Sequence, residues 1–153
     1  MNVESNLQKL GFSLPAIPKS LASYIPARRS GSLIFTSGQI PLRNGQLNHT
    51  GRVGRDISMD KAKEAVIICC LNALAAVSSV VSLDKITKII KLSVFVNSGD
   101  EFTDQHILAN SASDLLIELF GDTGKHSRSA LGVSSLPMNS SVELELIVEV
   151  AGE

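Results

Sequence analysis

Ser141-Val142-Glu143-Leu144-Glu145-Leu146-Ile147-Val148-Glu149-Val150 is the stretch whose reading decides the fold. Val142, Leu144, Leu146, Val148 and Val150 fall on one face, and Glu143, Glu145, Ile147 and Glu149 on the other. That is the two-residue period of a half-buried strand. Its apolar face needs a layer to lie against, and two upstream segments can supply it. Residues 59–80 read as a long helix with Ser58 as N-cap, and Ala62, Ala65, Val66, Cys69, Leu71, Leu74 and Ala75 recur near helical spacing. Small residues along it (Ala62, Ala65, Ala73, Ala75, Ala76) allow close approach to a sheet. A second helix runs over 103–120, carrying Ile107, Leu108, Leu115, Leu116, Leu119 and Phe120, and Gly121 stops it.

The remaining strands follow from turn chemistry and β-branched content. Residues 24–29 and 33–36 pair across the hairpin signal Ser30-Gly31-Ser32, and a β-branched run fills 84–97. Residues 127–135 precede the final strand across Leu136-Pro137-Met138-Asn139-Ser140. That link reads as a hairpin connection and makes the last two strands neighbours. Asn44-Gly45 is a strong turn dipeptide. Residues 3–10 can form one or two helical turns ended by Gly11, and 14–18 must be extended because of Pro15 and Pro18. The expected order is β-β-α-β-α-β-β, a two-layer α+β sandwich with both helices on one face of a mixed sheet. One domain spans 1–153, with 1–19 as an N-terminal extension packed on it. The partly apolar far face of the sheet calls for a second copy.

Composition narrows the function. Hydrophobic residues make up 44% and charged residues 19%, with a formal net charge of −1. A chain with no basic stripe, no Trp and one Tyr supplies neither phosphate attraction nor base stacking, so no nucleic-acid partner is expected. No apolar run is long and pure enough to span a bilayer. Residues 1–6 lack the basic flank and apolar core of a secretory signal, so cytoplasm is the expected compartment. Cys69 and Cys70 are adjacent on a helix and read as buried thiols. His49, His106 and His126 have no metal-ligand spacing, and no phosphate loop or nucleophile elbow is present, so neither metal nor cofactor is expected.

Four pieces could carry chemistry. Arg128 opens a strand after the Gly121 and Gly124 break; it is either a surface cation or a fork for a small carboxylate. Glu143 lies on the non-core face of the strand expected next to it, as a solvated charge or as a group holding a water or a proton. Tyr24 is a packing residue or a ligand contact. Ser37-Gly38-Gln39 at a strand end offers N–H groups and a hydroxyl as a polar wall.

Together these pieces carry a resemblance. Tyr24, then Phe35-Thr36-Ser37-Gly38-Gln39-Ile40-Pro41, then Arg128-Ser129 with Leu136-Pro137, then Val142-Glu143-Leu144-Glu145 resemble the reactive-intermediate deaminase (Rid, or YjgF-like) family, over about residues 20–150. The chain is similar to the longer subgroup, formerly labelled endoribonuclease L-PSP-like. The resemblance implies a chorismate-mutase-like sandwich, a homotrimer, and ligand clefts between subunits. It implies cofactor-free hydrolysis of small 2-imino or enamine acids to 2-oxo acids and ammonia. Arg128 would anchor the carboxylate and Glu143 would position the water, with Tyr24, Ser37 and Gly38 lining the cleft. The alternative is a non-catalytic binding module for small carboxylate metabolites, and an endoribonuclease ranks below both. Ala130 stands where the well-studied branch has a cysteine. Asn110 lies near that branch's cleft-lining asparagine, but segment lengths differ and its role stays open. The extension 1–19 has no counterpart there.

Overall fold

The computed structural model describes residues 2–20 and 22–152. Met1 and Glu153, the ends of the expected domain, and Leu21 lie outside the described residues. In chain order the elements are α1 (Val3–Lys9), β1 (Ala27–Ser30), β2 (Leu33–Thr36), β3 (Leu42–Arg43), β4 (Gln46–Leu47), α2 (Met59–Ser78), β5 (Ile86–Asn97), α3 (Gln105–Phe120), β6 (Ser127–Val133) and β7 (Val142–Val150). Five strands form the main sheet in the order β1-β2-β7-β5-β6, and β3 and β4 form a separate small ribbon. That ribbon turns at Asn44 and Gly45, both at positive φ (52° and 74°), as an Asn-Gly hairpin turn requires.

The alternation of β7 is borne out residue by residue: Val142, Leu144, Leu146, Val148 and Val150 are buried, and the residues between them are half-buried. Their buried face meets Ile89, Leu92 and Val94 of β5, Ile34 of β2, and the inner faces of α2 and α3 in one core. Ser58 caps α2 as expected, its Oγ accepting from Lys61 N at 3.3 Å. Cys69 and Cys70 are free and buried; burial pushes the Cys70 thiol up to about 12 and raises Cys69 as well. No helix among the described residues is long and apolar enough to cross a membrane.

The extension docks on the outside of this sandwich. Val3 and Leu7 of α1 are buried. Val3 N donates to Asp84 Oδ1 at 2.8 Å, and Asn6 Nδ2 donates to Leu119 O at 3.1 Å, so the helix is held to the end of α3.

One expectation is corrected. β6 and β7 are not a hairpin: β5 lies between them, antiparallel to β7 and parallel to β6. The link 136–140 therefore crosses the end of β5. It does so with Met138 and Asn139 both at positive φ (57° and 56°). Asn97 at the end of β5 ties it down, donating through Nδ2 to Ser140 O at 3.1 Å. The parallel pairing was invisible because a five-residue, proline-bearing link is also what joins antiparallel neighbours.

Candidate functional site

Arg128 sits on β6, the edge strand, in register with buried Leu92 of β5. Paired residues share a face, so its side chain starts on the helix-covered side. There it reaches α3. Nη1 donates to Asn110 Oδ1 at 2.8 Å and to Ser113 Oγ at 3.1 Å, and Nη2 donates to the carbonyl of His106 at 3.1 Å. All three acceptors are neutral. Among the described residues no Asp or Glu forms an ion pair with Arg128. A guanidinium has five N–H donors, so Nε and one hydrogen of Nη2 remain available. A fixed, uncompensated guanidinium with two donors to spare suits a carboxylate. Ala130, two residues on, shares this face opposite Val94.

Glu143 belongs to the other side. It pairs with Phe95 on β5 and, like the other half-buried residues of β7, points away from the helices. Burial first, and the negative charge of Glu145 second, raise its carboxyl above the ordinary value. The carboxylate lies directly over Gly38: a Cβ there would collide with Glu143 Oε1 and sit 3.0 Å from its Cδ. Here glycine is demanded by close approach rather than by backbone conformation. Gln39 clamps this strand end to β7 through paired bonds with Leu144 (2.8 and 2.9 Å). Ser37 Oγ donates to Ile25 O at 2.6 Å, tying down the segment after Tyr24. Tyr24 is about half exposed and, with Gln39, Ile40 and Ile17 of the extension, lines a cavity of about 710 Å³.

Ser37, Gly38 and Glu143 are thus brought together, and Tyr24 is linked to them through Ile25. Arg128 is not. It lies on the opposite face, separated from Glu143 by the width of β5 and roughly 14 Å of sheet by ordinary strand spacings. The expectation that Glu143 is on the strand beside Arg128 fails with the hairpin. Asn110, whose role the sequence left open, contacts Arg128 directly. Ser113 and the His106 carbonyl were missed altogether. The signal that could have found them is a spacing: 106, 110 and 113 fall at i, i+4 and i+7, along one face of α3.

Glu143 also shapes stability. A carboxyl whose folded-state pKa is raised contributes stability that is present at acid pH and is lost as pH climbs from the ordinary carboxylate pKa through the raised one. Glu143→Gln removes that loss. Urea midpoints should show the variant gaining on the wild type between acid and neutral pH. A constant offset across that range would mean that Glu143 ionises in the folded chain as it does in the unfolded one.

Comparison with known proteins adds context. The family described as "YjgF/chorismate mutase-like, putative endoribonuclease" matches residues 4–150. Protein TCP17 of Trypanosoma cruzi is 36% identical over 150 residues, covering 97% of this chain and 94% of its own. A 2-iminobutanoate/2-iminopropanoate deaminase of Dermatophagoides farinae is 28% identical over 138 residues, covering 90% and 94%. The crystal structure of Atu1372, a protein of unknown function from Agrobacterium tumefaciens, superposes with a TM-score of 0.91 at 42% identity, covering 97% of this chain and 92% of that one.

Proposed function

The chain belongs to the YjgF/chorismate-mutase-like family, and from that premise we propose that it hydrolyses small 2-imino acids to 2-oxo acids and ammonia. The observation that carries the proposal is Arg128: an arginine without an acidic partner among the described residues, held by neutral acceptors, with Nε and Nη2 donors to spare. The similarity to a 2-iminobutanoate/2-iminopropanoate deaminase supports the same reading.

In this reading Arg128 grips the substrate carboxylate with two parallel charge-assisted bonds. Glu143 holds a water over Gly38. The water oxygen bonds to the iminium carbon, and the C=N pair of electrons moves to nitrogen. Glu143 takes the proton of the water and returns one to the nitrogen. Glu143, a carboxylate again, takes the remaining hydroxyl proton as the oxygen's electron pair closes the carbonyl and the C–N bond breaks, and that proton leaves with the ammonia as ammonium. A carboxyl with a raised pKa suits this exchange. An iminium carbon is already electrophilic, so orientation and charge placement suffice without a metal or cofactor.

Because Arg128 and Glu143 occupy opposite faces, one small substrate cannot touch both within a single chain. A cleft completed by a second copy of the chain, in a trimer, meets that requirement. One copy would supply Arg128 with Asn110, the next Glu143 with Ser37 and Gly38.

The test is release of 2-oxobutanoate or ammonia when 2-iminobutanoate is generated in situ by an amino-acid-oxidising enzyme. Acceleration by the protein supports hydrolysis. Binding of 2-oxobutanoate without acceleration would replace the enzyme by a carboxylate-binding module.

A further inference from the structure

Behind Arg128 lies a chain of hydrogen bonds whose direction is set while the His126 ring is neutral. Ser113 Oγ, which accepts from Arg128 Nη1, also lies 2.9 Å from His126 Nε2. His126 Nδ1 in turn lies 2.6 Å from the carbonyl oxygen of Gly124. A carbonyl can only accept, so Nδ1 carries the hydrogen, and in the neutral ring Nε2 is left with a lone pair. A guanidinium can only donate, so Ser113 must turn its own hydrogen away from Arg128, toward Nε2. With the ring neutral, both ends select one arrangement: His126 to Gly124, Ser113 to His126, Arg128 to Ser113.

The far end is rigid. Gly124 is packed so closely against the last turns of α3 that a Cβ would strike Leu116 O. Ser113 itself is buried, at 8% exposure. Neither residue has solvent freedom to relax into another pattern.

We infer that Ser113 and His126 are positioning residues for the carboxylate anchor. The imidazole orients the hydroxyl, the hydroxyl presents a lone pair to Nη1, and the guanidinium plane is held so that its Nε and Nη2 donors face outward together. This rests on Arg128 being the anchor. Asn110 holds the same nitrogen from the other side but lies on the exposed flank, so the branch through buried Ser113 to half-buried His126 is the one that fixes the plane.

The experiment is calorimetric titration of 2-oxobutanoate into the full chain and its variants, with melting temperatures recorded alongside. Ser113→Ala is expected to weaken binding about tenfold, the scale of losing one hydrogen bond to a charged group. Ser113→Thr, which keeps the hydroxyl, should restore most of it. His126→Phe should weaken binding alone, yet add nothing when Ser113 is already Ala, because the ring acts only through the hydroxyl. Additive losses in that double variant, or Ser113→Ala binding like wild type while Arg128→Ala does not bind, would overturn the relay and leave the anchor standing. If Arg128→Ala binds as wild type does, the anchor reading falls and the relay with it.

Discussion

Replacing Arg128 by alanine is expected to lower the accelerated hydrolysis of 2-iminobutanoate by about 100-fold or more, with the fold intact. Each charge-assisted hydrogen bond to a carboxylate is worth about 1.5–3 kcal/mol where both groups are well desolvated. Arg128 is only partly buried, so about 3 kcal/mol for the pair is the appropriate scale. At 1.4 kcal/mol per factor of ten, that exceeds 100-fold. The structural cost is confined to one buried acceptor: Asn110 Oδ1 and the His106 carbonyl lie on the exposed flank of α3 and can turn to water, and Ser113 Oγ, which is buried, keeps its bond to His126. Lysine should not rescue: an ammonium keeps the charge but has no planar fork to present two parallel donors. Initial rates of ammonia release over a substrate range check this. An Arg128→Ala protein as fast as wild type would remove Arg128 from the site.

The largest stability effect is expected at a residue with no side chain. Gly124 ends the tight turn between α3 and β6 and is buried. Its φ is not in the left-handed region, so backbone conformation alone would allow alanine there. Space would not: besides striking Leu116 O, a Cβ would sit 2.8 Å from Leu116 C and 3.0 Å from Ile117 Cα. These are backbone atoms in the last turns of a helix and cannot swing aside. Gly124→Ala must push the loop off α3, which costs about 3 kcal/mol by the scale of overpacked sites. For a chain of this size that lowers the melting temperature by roughly 10 °C. Gly152→Ala, with nothing within 4 Å of the added carbon, is the matched control and should melt as wild type does. Equal melting of the two variants would mean that the turn accommodates a methyl group.

These two residues also mark how far the sequence could be read. The core face of β7, the cap at Ser58, the stop at Gly121 and the turn at Asn44-Gly45 were all legible, because each is a local matter of period or dihedral preference. Gly38 was singled out as part of a polar wall; that it makes room for Glu143 is a contact across a strand pair, which no local pattern encodes. The misplacement of β6 has the same origin. Strand alternation tells which face is buried but not which strand lies alongside, and parallel partners are far apart in sequence. From that one error came the idea that Arg128 and Glu143 share a neighbourhood, although each was picked out for sound chemical reasons. The helical spacing of 106, 110 and 113 groups Ser113 with Asn110, but that it meets Arg128 and His126 is a tertiary fact no spacing encodes.

The paired thiols on α2 give the protein an internal clock. Cys69 and Cys70 have no access to solvent while the helix is seated on the sheet, and burial keeps both thiols from ionising. An alkylating reagent needs the thiolate. Modification thus waits for α2 to lift from the core, an opening close to global unfolding. Labelling kinetics in native buffer would then report how often the core opens.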